Sequence, residues 1–411
     1  MITINLNLIA TLSIAIILFL IGSFLKNKIK FFNKFCIPSP VIGGLLFTLI
    51  SLILQLSNLI NINISENIVP FFMSIFFIVL GLSASFKLIK KGGKLLFTYW
   101  ILCGGLALFQ NIISVVMAKI TNVHPLIGLM CGTISMEGGH GNAAAFGRTI
   151  EGMGVDGAVT IGLAAATLGI ILGGVLGAPV SRYLIEKYKL KPSYICSNNP
   201  TNFKSNLINI NKNYLTRNFK SNKFNTTIFF EQVLVILLCI NIGELVTKIL
   251  YIKTNIILPS VVGCMVVAFL FRNFNDSINI IKLDFKLLNF ISEISLSMFL
   301  TIALMSINLL DLVHIAGPMF IIILTQVIFV LLYAVFICFK LLGKNFDAAV
   351  MVSGLIGHGL GNTPNALANM NSVTHKYGIS EKALLIVPLV GAFLLDIFTL
   401  PCIIIFINTF R

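Results

Sequence analysis

Apolar runs of about twenty residues recur along the whole of this chain, separated by short polar stretches. A helix rises about 1.5 Å per residue, so a run of that length crosses the ~30 Å hydrocarbon core of a bilayer. The pattern predicts ten spanning helices, at about 6–25, 37–56, 67–86, 95–118, 156–181, 228–250, 256–272, 287–309, 317–339 and 383–409. Two more apolar stretches, about 125–150 and 348–372, are interrupted by glycine. Their centres read Glu137-Gly138-Gly139-His140-Gly141-Asn142 and Gly357-His358-Gly359-Leu360-Gly361-Asn362. Broken backbone at membrane depth survives only where protein buries it or water lines it. Both stretches are therefore expected to be re-entrant, entering and leaving on one side. The alternating ten-residue segments of a membrane barrel do not occur in the sequence.

The polar connections carry the orientation. Starting outside and counting ten crossings puts Lys119, Arg148, Lys248, Lys253 and Arg411 outside, and the other 24 of the 29 Lys and Arg inside. Cytoplasmic loops concentrate these cations, so both termini are expected to be periplasmic or extracellular. Letting one broken stretch cross fully would invert everything after it and erase the bias. The first apolar run is expected to be a helix and not a cleavable leader, because Lys26, Lys28 and Lys30 follow it instead of preceding it.

The two halves of the chain match each other. Ile37-Pro38-Ser39-Pro40-Val41-Ile42-Gly43 parallels Leu258-Pro259-Ser260-Val261-Val262-Gly263, and Ser74-Ile75-Phe76 parallels Ser297-Met298-Phe299. Gln110 pairs with Gln326, and Gly139-x-Gly141-Asn142 with Gly359-x-Gly361-Asn362. All four fit one alignment, with shifts of 221, 223, 216 and 220 residues. Five crossings per half is an odd number, so the second half enters the membrane inverted. The expected fold is an all-α polytopic membrane protein with ten transmembrane helices. These form two inverted five-helix repeats, 1–190 and 227–411, each with a re-entrant Gly-rich loop. An Asn- and Lys-rich segment, 191–226, is expected to be a flexible basic cytoplasmic linker between them.

Composition agrees. The chain of 411 residues is 57% hydrophobic and only 10% charged, against about 25% charge in soluble domains. The net charge of +15 is accounted for by bases in the loops, so no nucleic-acid partner is expected. Eight cysteines are scattered without metal-ligand spacing and are expected to be free thiols.

Several motifs resemble the sodium/glutamate symporter family. They are Ile37-Pro38-Ser39-Pro40-Val41-Ile42-Gly43-Gly44, Gly138-Gly139-His140-Gly141, Gly343-Lys344-Asn345-Phe346-Asp347-Ala348-Ala349-Val350, the run from Gly357 to Met370, and Val387-Pro388-Leu389-Val390-Gly391-Ala392-Phe393. The resemblance implies sodium-coupled uptake of L-glutamate across the bacterial inner membrane. It also implies two inverted five-helix domains, re-entrant loops carrying Gly-Gly-x-Gly, and a homodimer. No cofactor is implied beyond sodium as the co-transported ion. The second glycine motif departs from the family pattern, and so does Glu137 directly before the first.

Under this reading the solute docks on Gly138, Gly139, His140, Gly141, Gly359, Gly361, Asn362 and Thr363. Glycine lets backbone N–H and C=O face a ligand, and helix N-termini attract carboxylates. The bland alternative is close helix packing. Arg148 could pair with the solute, or be an ordinary outer-surface residue. Asn142 and Asn362 offer neutral oxygens to sodium, or simply cap broken helix ends. Asp396, deep in the last helix, and Glu137 are intramembrane carboxylates, which default to ion coupling. A structural hydrogen bond is the alternative for Asp396, and a protonated hydrogen-bond donor for Glu137. His140 and His358 could shuttle protons or act as hydrogen-bonding spacers. Gln110 and Gln326 are expected to pack between helices. Gly169, Gly173 and Gly177 form a small-residue ridge expected to give close packing within a mobile core.

The expected activity is alternating-access symport. The rivals are a proton- or sodium-coupled carrier of another organic anion, a membrane-embedded enzyme and a passive channel. The enzyme is disfavoured because the chain has neither a Gly-x-Ser-x-Gly elbow nor a His-Glu-x-x-His motif.

Overall fold

The structure is a computed structural model describing residues 2–34, 37–57, 59–85, 93–192, 226–278, 280–307 and 315–411. Almost all of the expected 191–226 linker lies outside the described residues. A short parallel pair, β1 (Ile2–Asn5) and β2 (Ile60–Asn63), sets Ile2 opposite Ile60. Everything else of regular structure among the described residues is helical.

The first half contains α1 (Leu8–Lys28), α2 (Ser39–Leu56), α3 (Val69–Ser83) and α4 (Gly93–Ile120). Then come the short α5 (Pro125–Met130) and α6 (Thr133–Met136), followed by α7 (Gly139–Glu151) and α8 (Ala158–Lys187). The second half contains α9 (Thr226–Thr254), α10 (Ser260–Ile278), α11 (Phe285–Met305) and α12 (Ala316–Tyr333), the last running on through a π-helical turn to Leu341. It closes with α13 (Phe346–Leu360), α14 (Thr363–Tyr377), α15 (Glu381–Leu389), a π-helical turn at Val390–Leu394, and α16 (Leu395–Phe410). Eight helices among the described residues are long and apolar enough to cross a bilayer. Helices α3 and α16, at 15 and 16 residues, are shorter. The chain is a multi-pass helical membrane protein.

Local chemistry explains the helix starts. Asn7 and Asp284 accept hydrogen bonds from backbone N–H groups in the first turns of α1 and α11, satisfying donors that a helix cannot pair internally. Pro40 sits in the first turn of α2, where its missing N–H costs nothing. The outward faces stay apolar, with Leu20, Ile53 and Ile252 exposed, as lipid contact requires.

Packing does not divide the chain at its midpoint. Helices α1, α2 and α3 pack with α9, α10 and α11 in one body. Helices α4 to α8 pack with α12 to α16 in a second. Each body draws on both halves. In the second, α8 lies along α13 and α14, and the ridge at Gly169, Gly173 and Gly177 lets them approach closely. Between the bodies, Asn408 on α16 exchanges hydrogen bonds with the Ile257 backbone at 2.8 and 3.0 Å.

Candidate functional site

Both glycine-rich stretches are helices laid end to end with a break between them. The first breaks at Glu137-Gly138, between α6 and α7. Gly139 has φ +62°, a left-handed conformation that costs a side-chain-bearing residue but not glycine. The second breaks at Gly361-Asn362, between α13 and α14. Asn362 is extended, and its Oδ1 accepts from the Asn365 N–H at 3.1 Å, so it caps α14. The two breaks are neighbours: a Cβ on Gly139 would stand 3.9 Å from the Gly361 carbonyl oxygen.

A cavity of about 210 Å³ opens at these breaks. Its polar wall consists of Glu137 to Asn142, His358, Asn362, Thr363 and Asp396, all from the second body. Pro38, Phe76, Leu80, Leu296 and Leu300 of the first body close the opposite side. The cavity therefore lies on the seam between the bodies, and no Lys or Arg is among its lining residues. Two helix N-termini, of α7 and α14, bring partly positive backbone ends to it. The Asn142 amide and the Asp396 carboxylate share this wall, within electrostatic range of each other. His140 Nε2 lies 3.0 Å from Thr167 Oγ1, and His358 Nδ1 lies 3.5 Å from the Tyr99 hydroxyl. Both carboxylate oxygens of Glu137 are buried without a hydrogen-bond partner, as is His358 Nε2.

Most of the residues singled out from the sequence thus converge. Three do not line the cavity. The Gly359 carbonyl accepts a 2.8 Å hydrogen bond from Gln110, which in turn receives Gln326 on its own carbonyl at 2.7 Å. Gly361 forms the backbone of the second break. Arg148 is ion-paired with Glu66 and lines a separate open pocket with Lys248 and Tyr251.

Other participants stood in the quoted family motifs without a role of their own. Thr363 Oγ1 donates to the Gly391 carbonyl at 2.8 Å, inside the π-helical turn that also brings Gly391 against His358. Such turns are rare and tend to mark functional sites, and no residue pattern announces them. Asn365 and Asn369 donate to the Ile170 and Gly173 carbonyls at 2.8 and 3.0 Å, bolting α14 to α8. Asparagine is abundant in this chain, which hides such residues, but their four-residue spacing along one helix is a usable signal. Among the described residues, no three His, Cys, Asp or Glu side chains form a metal-binding group.

A polar, helix-broken cavity on the seam of a multi-pass helical protein defines the solute carriers of membranes. Comparison with known proteins makes the class specific. The model of the family described as "Sodium/glutamate symporter" matches residues 4–379. The chain is 35% identical to the sodium/glutamate symporter of Escherichia coli (strain K12) over 396 residues, which is 96% of this chain and 95% of that one. It is 34% identical to the sodium/glutamate symporter of Haemophilus influenzae over 391 residues, 94% of each. This chain belongs to the sodium/glutamate symporter family.

Proposed function

We propose that this protein imports L-glutamate together with sodium across a bacterial inner membrane. The observation that carries this reading is a cavity combining two helix N-termini with a membrane-embedded carboxylate, in a chain of this family. The solute's carboxylates dock on the N-terminal ends of α7 and α14, at Gly138 to Gly141 and at Asn362 and Thr363. Sodium is held by oxygens of Asp396, Asn142 and Asn362. Its charge offsets Asp396 and the anionic solute, which otherwise meet in a site without Lys or Arg. Glu137 adds a further negative group to be compensated.

Access alternates when the second body slides against the first, carrying the cavity across the membrane. Ten crossings, two inverted repeats with re-entrant loops, and both termini outside complete the reading. Close glycine packing supports the repeat: Gly22 against Gly43 joins α1 to α2, and Gly243 against Gly263 joins α9 to α10, with shifts of 221 and 220 residues. We assign a homodimer from the family resemblance. The test of function is glutamate uptake into proteoliposomes under an inward sodium gradient. Uptake that persists when choline replaces sodium would refute the coupling.

A second reading, a carrier of another organic anion, draws on Glu137, an additional acid in an anion site. Competition by aspartate, citrate and malate against labelled glutamate separates the two.

A further inference from the structure

Glu137 is the group that sodium-coupled glutamate import leaves unused. The residue is 6% exposed, and neither carboxylate oxygen has a hydrogen-bond partner. The N-terminus of α7 begins two residues later, yet none of its N–H groups reaches the carboxylate. Asp396, His140 and His358 line the same cavity wall as Glu137. Tyr99, Cys103, Tyr333 and Cys402, on α4, α12 and α16, are the phenols and thiols within electrostatic range of it. None of these is a cation donor like Lys or Arg, and no ion pair to Glu137 occurs among the described residues. The Tyr333 hydroxyl is already committed to the Leu102 carbonyl at 2.9 Å.

A bare carboxylate in such a place is strongly disfavoured, so it must carry a cation when the site is loaded. Three cations are available: sodium, the α-ammonium of the solute, and a proton. Sodium and ammonium need several oxygens and room. The two Glu137 oxygens are sealed from water-sized contact, and no hydrogen-bond donor reaches them. A proton needs neither space nor further ligands.

We infer that Glu137 is a second cation site of this transporter, and that its occupant is a proton carried in with sodium and the solute. The O–H bond forms from a hydronium ion on the outer side, leaving water behind. It breaks to water on the inner side, so each cycle returns a bare carboxylate only where the cavity is hydrated. This inference rests on the sodium-coupled reading above.

The test is steady-state glutamate accumulation in proteoliposomes holding the wild-type protein. The sodium gradient is fixed, and the membrane potential is clamped with valinomycin and equal potassium. One co-transported proton makes a one-unit pH gradient, alkaline inside, raise the accumulation ratio about tenfold. A trapped pH dye reports the accompanying acidification. In Glu137→Gln the pH-gradient effect and the dye signal per glutamate disappear, whatever the remaining rate. An accumulation ratio in the wild type that ignores the pH gradient would overturn the inference, and so would an undiminished effect in Glu137→Gln. Accumulation that ignores the sodium gradient would instead refute the parent reading. The wild-type arm decides the matter even where the variant does not fold.

Discussion

Gly169 is the position where the smallest perturbation should reach both helix breaks at once. It lies on α8 between Met136, the residue before Glu137, and Leu360, the last residue of α13. An alanine Cβ there would stand 2.9 Å from the Met136 sulfur and closer still to the Leu360 carbonyl oxygen. Ordinary contacts begin near 3.4 Å, so one or both tips must retreat by roughly half to one ångström. Overpacking of a well-packed interior costs about 1–3 kcal/mol. Where the strain is relieved by displacing the tips, that energy is subtracted from solute binding, and 1–3 kcal/mol is about 5- to 150-fold in affinity. Gly169→Ala should therefore raise the half-saturating glutamate concentration by a factor in that range. The assay is the initial rate of sodium-driven uptake in proteoliposomes as a function of glutamate, normalised to inserted protein. Thermal unfolding in detergent reports how much of the strain appears as lost stability. Gly317→Ala is the control, because a Cβ there meets nothing within 4 Å. A Gly169→Ala protein within twofold of wild type in both rate and apparent affinity would refute the idea that α8 sets the spacing of the breaks.

Three further outcomes are expected. Asp396→Asn removes the charge held against sodium and should abolish the sodium dependence of uptake, read by titrating sodium at fixed glutamate; an unchanged sodium titration would place the ion elsewhere. Arg148→Gln breaks a partly exposed ion pair with Glu66, worth about 0–1 kcal/mol. The half-saturating glutamate concentration should stay within about twofold, and a rise above about tenfold would return Arg148 to the solute. Gln110→Leu leaves the buried Gly359 carbonyl without its 2.8 Å donor and should cost about 1–3 kcal/mol of stability, measured as a lower thermal midpoint; an unchanged midpoint would mean that the bond is dispensable.

Hydropathy and periodicity made the helical membrane class plain, because solvation by lipid forces a span to be apolar along its whole length. Every expected span contains a helix in the structure, although two fall short of the length that crossing by composition alone would require. Glycine in the two broken stretches likewise pointed to the cavity, since only a broken helix exposes backbone groups at membrane depth. What periodicity does not encode is partnership between segments far apart in the chain. Asp396 and Asn142 are 254 residues apart in number, and only packing brings them together. The π-helical turn at Val390–Leu394 and the carbonyl it offers to Thr363 depend on neighbours and not on local propensity.

The sequence by itself therefore determined that this chain lives in a bilayer, which residues break its helices, and which family it resembles. Only the tertiary structure decided that the breaks meet, that Arg148 is engaged with Glu66 away from them, and that the cavity lies between two bodies each drawn from both halves. The reason is physical. Burial in lipid acts on each segment separately, so it leaves its mark on every residue in order. Polar groups inside the membrane must instead be satisfied by one another, and that pairing is a property of the assembled fold.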